Sequence, residues 1–168
     1  AWAKGTLGEA GAKNAKIATL DLAPNQPTVD YLRHNGFLKG FGIEVPDLKV
    51  MGSETDTRVI GHESSGANPE GGLKSAENLL AKNPDMNVIY TINEPAAEGA
   101  FQGMKAAGKE KQAIIVSVDG GCPGVKSVTD GIIGATSMQF PLLMASKGVE
   151  AVAAFAKDGT KPKNSDGL

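Results

Sequence analysis

The sequence predicts an α/β fold: a doubly wound, mainly parallel sheet with helices on both of its faces. Short β-rich runs alternate with helical patterns along the whole chain, which is typical of βαβ units. The 168 residues are 40% hydrophobic and include 22 glycines and 9 prolines, so a core and many turns are both expected. A chain of this length can bury about 70% of its extended surface, enough for one folded domain.

Five strands are expected, and the position of the second is left open between two segments. Each is a short run rich in β-branched or aromatic residues and is bounded by turn residues. The predicted strands are residues 16–22, 50–52 or 58–64, 87–92, 113–118 and 132–138.

Helical patterns lie between these strands. Residues 27–43 are predicted as a helix although Gly36 and Gly40 weaken it, and residues 142–156 as a final helix. Residues 1–14 are ambiguous because three glycines interrupt their pattern. Two further helices present apolar stripes at helical spacing: Leu73, Ala76, Leu79 and Leu80, then Ala96, Ala100, Phe101, Met104 and Ala107.

Charge and hydropathy exclude two classes of partner. The net charge is −2, with 17 basic and 19 acidic residues, and the lysines are scattered, so no stripe exists that would neutralise a nucleic acid. The longest apolar runs, residues 87–92 and 113–118, are far shorter than the ~20 residues of a membrane-spanning helix. The single cysteine excludes an internal disulfide.

Polar residues follow the predicted strands where each ends. Asn93 comes after residues 87–92, Asp119 after residues 113–118, and Gln139 after the last strand. In parallel sheets, ligands bind beyond the carboxyl ends of the strands, so these residues are candidate ligand contacts. Asn and Asp are also common as helix N-caps and in turns, and that alternative stays open.

An arginine is expected at the same edge. Arg33 lies early in the helix that follows the first strand. Its planar fork of donors suits vicinal hydroxyls as well as carboxylates. Arg58, the other arginine, is predicted at the start of a strand with a structural role.

Enzymatic chemistry is not expected. His34 and His62 are interpreted as solvated or packed, because no Gly-x-Ser-x-Gly elbow accompanies them. His62 and Glu63 alone do not make a metal cluster, so no metal site is predicted. The glycines of residues 119–124 lack both the P-loop and the dinucleotide-binding spacing, so no cofactor is predicted either.

Several motifs resemble a known family. They are residues 116–124 (VSVDGGCPG), 129–136 (TDGIIGAT), 78–85 (NLLAKNPD) and 90–94 (YTINE). Together they are similar to the sugar-binding proteins of ABC importers, the ribose/galactose/fructose cluster of type I periplasmic binding proteins. The match is collinear from about residue 15 to residue 159 and is most similar to fructose-type binders.

The resemblance implies a function and a set of contacts. The family holds a monosaccharide between two lobes in the periplasm and delivers it to an ABC-type permease, without catalysis. Its C-terminal lobe contributes an arginine, an asparagine, an aspartate and a glutamine, which correspond to Arg33, Asn93, Asp119 and Gln139. A further family position, often aromatic, falls near Ala67 and Asn68, which makes Asn68 a fifth candidate contact. Because no aromatic residue stands there in this chain, the resemblance leaves the sugar unspecified.

The resemblance also implies a domain organisation. Residues 1–139 correspond to the C-terminal lobe, and residues 140–168 to a helix and tail that return to an N-terminal lobe absent here. The helix 142–156 is therefore expected to be the least well packed element or to dock on a second copy, and residues 158–168 to lead into a linker. Alone, the lobe is expected to bind sugar only in the millimolar range or not at all.

Two other classes remain as alternatives. The effector domain of a LacI-type transcriptional repressor shares this fold. A flavodoxin-like enzyme or a phosphoacceptor domain is the other, but a phosphoacceptor needs clustered acids at the first strand end, where Asp21 stands alone in the sequence.

Overall fold

The computed structural model describes residues 1–163, which form six helices and five strands. In chain order they are α1 (Trp2–Lys13), β1 (Ile17–Asp21), α2 (Thr28–Phe41), β2 (Val59–Ser64), α3 (Pro69–Lys82), β3 (Val88–Thr91), α4 (Glu94–Ala106), β4 (Ile114–Asp119), α5 (Cys122–Thr129), β5 (Ala135–Met138) and α6 (Pro141–Asp158).

The five strands form one parallel sheet in the order β2-β1-β3-β4-β5. Strand β2 lies on one side of β1, whereas β3, β4 and β5 follow one another on its other side. Because parallel crossovers are right-handed, this reversal sends α2 to one face of the sheet and α4 to the other. The predicted doubly wound α/β fold is confirmed, and its switch point lies between β1 and β3.

The sheet separates two apolar cores. Neighbouring strand residues point to opposite faces, so Ile17 belongs to one core and Ala18 to the other, as do Val88 and Ile89. One core is closed by α1 and α2, with Ala3, Ala12, Leu38 and Phe41. The other is closed by α3 and α4, with Ala76, Leu79, Leu80, Ala97, Ala100 and Met104.

Helices α3 and α4 pack closely because a glycine stands at their contact. A Cβ on Gly99 would lie 2.0 Å from the carbonyl oxygen of Pro69, so only glycine allows this approach. The contact brings the N-terminal ends of the two helices together. Asn68 and Asn93, the residues that precede them, therefore belong to one edge of the sheet.

Three predicted elements differ in detail from the structure. Of the two candidate second strands, residues 58–64 correspond to β2, while residues 50–52 lie in a turn. The prediction that the last strand begins at Ile132 was wrong, because the amides of Ile132 and Ile133 bond to Ser127 at the end of α5. The ambiguous N-terminal segment is helical with a kink at Gly8, whose φ is 67°.

Two compact units divide the chain, the first comprising Ala1–Met138 and the second beginning at Gln139. Helix α6 belongs to the second unit, and none of residues 141–158 is buried. Leu142, Val149 and Val152 are 86%, 71% and 70% exposed. Of the predicted linker, residues 164–168 lie outside the described residues.

Within residues 1–163, no helix combines the length and the apolar character needed to cross a membrane.

Candidate functional site

Arg33 and Asp119 meet at the carboxyl edge of the sheet. Nη1 of Arg33 lies 3.4 Å from Oδ1 of Asp119 and donates a hydrogen bond to the carbonyl oxygen of Ile92 at 2.8 Å. Both side chains keep about a fifth of their surface exposed. A cation and an anion thus stand side by side with surface left for a ligand, close enough for one small molecule to touch both.

The turn before α2 fixes where Arg33 lies. Both carboxylate oxygens of Asp30 accept backbone hydrogen bonds, from Leu22 at 2.9 Å and Ala23 at 3.0 Å. These bonds tie the first turn of α2 to the end of β1. Burial raises the pKa of Asp30, whereas the two backbone bonds act in the opposite direction. Arg33 follows one turn later on a helix that is anchored to the sheet edge.

Asp119 has an unusual backbone and a desolvated carboxylate. Its φ is 148°, a region that side-chain-bearing residues rarely adopt, and such strain is common at ligand sites. Burial raises the pKa of Asp119, and the nearby Glu94 carboxylate adds to the effect. A bond from the Glu94 amide and the charge of Arg33 oppose it. The carboxylate is therefore held partly out of water.

Glu94 is a buried residue that the sequence reasoning did not select. Its Oε1 accepts hydrogen bonds from the Gly120 amide at 2.8 Å and from the Thr136 hydroxyl at 2.6 Å. A Cβ on Gly124 would lie about 2 Å from the same carboxylate. Glu94 therefore joins the start of α4 to the turn after Asp119 and to β5. The available signal was an acid directly after the candidate Asn93 and before Pro95.

Asn93 caps α4. Its Oδ1 accepts from the Ala96 amide at 3.1 Å, and its Nδ2 donates to the carbonyl of Ala67 at 2.9 Å. The N-cap interpretation is therefore correct for this side chain. The Asn93 side chain still has a second hydrogen on Nδ2 and a second lone pair on Oδ1 for a ligand.

Asn68 is exposed and caps α3 in the same way. Its Oδ1 accepts from the Gly71 amide at 2.9 Å, and its Nδ2 donates to the carbonyl of Gly66 at 3.1 Å. The bond from Asn93 to Ala67 holds the loop of Asn68 beside the start of α4. Four of the five predicted contact residues thus belong to one edge of the first unit: Asn68 and Asn93 cap helices, Asp119 ends β4, and Arg33 lies in the second turn of α2. Gln139, the fifth, begins the second unit directly after β5.

An open cavity of about 520 Å³ adjoins Arg33 on the α1–α2 face of the sheet. Phe37 and Tyr90 line it with stacked rings whose centroids are 4.7 Å apart. The Tyr90 hydroxyl is buried and has no hydrogen-bond partner among the described residues. Burial raises its pKa well above the usual value. The cavity is mostly aromatic and aliphatic, and Asp119 does not line it.

His34 is fully buried and His62 is 36% exposed, but the sequence did not show that both lie next to one acid. His34 and His62 lie on either side of Asp21, and the three side chains place one potential ligand atom each within 4.8 Å of the others. His62-Glu63 alone could not reveal this group, because its other members lie far away in the sequence. Asp21, which stands alone as an acid at its strand end in the sequence, belongs to a cluster in the folded chain.

Comparisons with known proteins identify relatives of this chain. A family model described as a periplasmic binding protein domain matches residues 3–161. The ribose import binding protein of Escherichia coli is 38% identical over 79 residues, which cover 47% of this chain and 26% of the relative. The ribose import binding protein of Bacillus subtilis is 28% identical over 139 residues, which cover 83% of this chain and 41% of the relative.

A solved structure resembles the fold over nearly the whole chain. It is an ABC transporter periplasmic solute-binding protein from Actinobacillus succinogenes with bound D-allose. The TM-score is 0.73 at 25% identity, with 95% of this chain and 53% of that chain covered. This chain therefore spans about half the length of that protein, and its matches cover less than half of the two curated relatives.

Proposed function

The chain belongs to the periplasmic binding protein family, and from this membership we propose that it binds a monosaccharide non-covalently through the carboxyl edge of its sheet. The proposal extends to the whole parent protein, which would deliver the sugar to an ABC-type membrane importer from the periplasm. The named relatives are ribose import binding proteins, and the named structure holds D-allose.

The pairing of Arg33 with Asp119 is the observation that carries the proposal. A sugar presents neighbouring hydroxyls, each both donor and acceptor. The Asp119 carboxylate is suited to accept from two of them, while the guanidinium donates to hydroxyl or ring oxygens. The two groups lie 3.4 Å apart, and this separation lets adjacent hydroxyls engage both.

Three side-chain amides complete the proposed contact set. Asn93 retains one donor and one acceptor position beyond its cap bonds, and Asn68 offers the same at a more exposed position. Gln139 remains a proposed contact on the basis of family resemblance. Glu94 acts as a positioning residue, because its bond to Gly120 holds the turn that carries Asp119.

A second lobe is proposed to complete the site. A micromolar site needs about −8 kcal/mol. A handful of hydrogen bonds, at roughly 0.5–3 kcal/mol each, must also offset at least ~4 kcal/mol of association cost. Half a site is therefore expected to bind in the millimolar range. Closure of another lobe over the ligand would supply the remaining contacts and exclude water.

The other functions weighed from the sequence have less support. Each curated relative and structure named above is a solute-binding protein, and none is a LacI-type repressor. Catalysis is not proposed, because the residues at the edge are suited to hydrogen bonding and the named relatives are binding proteins.

Calorimetric titration of the full parent protein with a panel of monosaccharides tests the proposal. We expect micromolar binding of at least one sugar, weakened about tenfold to hundredfold by Asp119→Asn or Arg33→Gln, which corresponds to the loss of one charged hydrogen bond. Asp130→Asn is the matched control, since it removes an exposed carboxylate near the end of α5.

Unchanged affinity in both Asp119→Asn and Arg33→Gln would show that the sugar binds elsewhere. Micromolar binding by residues 1–168 alone would contradict the two-lobe part of the proposal and leave the edge site intact.

A further inference from the structure

Asp21, His34 and His62 form a compact cluster at the end of β1. Asp21 Oδ1 lies 2.8 Å from Nδ1 of His34, and Asp21 Oδ2 lies 3.9 Å from Nδ1 of His62. Asp21 and His34 are almost completely buried, whereas the His62 side chain is 36% exposed. We propose that these three side chains bind a divalent transition-metal ion of the zinc class.

The donor set selects this class of ion. Two imidazoles and one carboxylate are typical zinc ligands, while calcium and magnesium prefer oxygen donors alone. Ligands about 2.0–2.1 Å from a tetrahedral ion are about 3.3 Å from each other. The two measured separations, 2.8 and 3.9 Å, each differ from that value by about half an ångström. Binding an ion would therefore open the first contact and close the second by about that amount.

A buried carboxylate orients His62. Nε2 of His62 lies 2.9 Å from Oε1 of Glu54, whose side chain is only 3% exposed. In the neutral tautomer that donates its Nε2 proton to Glu54, the ring carries its lone pair on Nδ1, the atom that faces the cluster. Metal-bound histidines are commonly fixed by such a carboxylate on the opposite nitrogen. The Thr19 hydroxyl lies between two of these ligands: it donates to Asp21 Oδ2 at 3.0 Å and lies 2.7 Å from His62 Nδ1, a contact that the ion would replace.

Two buried polar atoms in and beside the cluster have no hydrogen-bond partner among residues 1–163. Nε2 of His34 and Oε2 of Glu54 have no hydrogen-bond partner within the described part of the chain. The ion pairs that Asp21 and Glu54 make within residues 1–163 are all to histidines. Two buried carboxylates without a lysine or arginine are unfavourable, and a divalent cation beside them would neutralise this charge.

An open cavity gives the ion a path to solvent. It has a volume of about 460 Å³ and is lined by Asp21 and His62, together with Gln26, Met51 and Glu63. Three protein ligands with an open side leave a fourth coordination position for water. The site is separate from the proposed sugar contacts, although His34 directly follows Arg33 on α2.

Calorimetry with zinc chloride on protein stripped with a chelator tests this proposal. We expect one equivalent to bind, and cobalt(II) to give the visible absorption of a tetrahedral site at the same stoichiometry. His62→Gln, a substitution at a partly exposed ring, should weaken zinc binding at least tenfold. Glu54→Gln should weaken it about ten- to hundredfold by loosening the ring. Circular dichroism checks that each variant is folded.

Cys122→Ser is the control, because Cys122 is exposed and is the other common zinc donor in the chain. Its zinc affinity should match the wild type. The proposal is wrong if zinc does not saturate the protein. In that case the cluster binds protons and no metal ion. The proposal is equally wrong if the zinc affinity of His62→Gln equals that of the wild type, or if binding disappears in Cys122→Ser.

Discussion

Oε1 of Glu94 accepts a hydrogen bond from the backbone amide of Gly120 at 2.8 Å, so the first residue of α4 controls the turn that follows Asp119. The same oxygen holds Thr136 on β5. The position of Asp119 beside Arg33 therefore depends on a buried carboxylate that belongs to neither residue.

The close contact between Gly124 and the Glu94 carboxylate predicts the effect of a larger residue at position 124. Gly124→Ala places a methyl group about 2 Å from the Glu94 carboxylate, which must move. We expect urea unfolding to show a loss of about 1–3 kcal/mol, typical of overpacking, and sugar affinity of the parent protein to fall. Gly5→Ala is the control in α1, where nothing lies within 4 Å, and it should stabilise by up to about 1 kcal/mol. Equal unfolding midpoints for the two variants would contradict this role of Glu94.

The raised pKa of Asp119 predicts a conflict between stability and binding. Because burial raises the native pKa above the ordinary value of 3.8, the folded protein binds this proton more tightly than the unfolded chain. Stability therefore falls as pH rises through that window, and the destabilisation is fully present at pH 7. We expect Asp119→Asn to melt at a higher temperature than the wild type at pH 7, with the difference shrinking towards pH 4.

Thermal denaturation at several pH values measures this difference, and Asp130→Asn should change stability by no more than about 0.5 kcal/mol. A lower melting temperature for Asp119→Asn at pH 7 would mean that the contacts of the carboxylate outweigh its desolvation.

The fold was predictable because its signal is local. Each βαβ unit shows its own change of periodicity, and the position of Arg33 follows from α2 being the next element after β1. The structural role expected of Arg58 also agrees with its bonds to Asp56 and to the carbonyls of Ala12 and Gly42.

The parts that were missed depend on pairing between distant segments. His62 reaches Thr19 and Asp21 only because β2 pairs with β1 in a register that sets Thr19 opposite His62. Likewise, Glu94 is buried by the turn at Gly120 and by Thr136, about 26 and 42 residues further along. Sequence periodicity carries no information on such contacts.

Helix α6 is expected to be the least protected helix of this chain in isolation. None of residues 141–158 is buried, and helices that bury little apolar surface open at low free-energy cost. Hydrogen exchange on residues 1–168 should therefore show faster exchange in α6 than in α4, which buries Ala96, Ala97 and Ala100. Concentration-dependent slowing would indicate docking on a second copy, whereas strong protection in a dilute monomer would contradict the prediction.

Asn93 allows capping and ligand binding to be separated. Serine is as good an N-cap as asparagine, so Asn93→Ser should retain the bond to the Ala96 amide and lose only the Nδ2 bond to Ala67. We expect a stability change of about 1 kcal/mol or less, and a loss of sugar affinity of about tenfold in the parent protein if the remaining amide hydrogen contacts the ligand. Asn68→Ser, at the exposed cap of α3, is the matched control and should weaken binding less. Equal affinities for Asn93→Ser and the wild type would restrict Asn93 to its structural role.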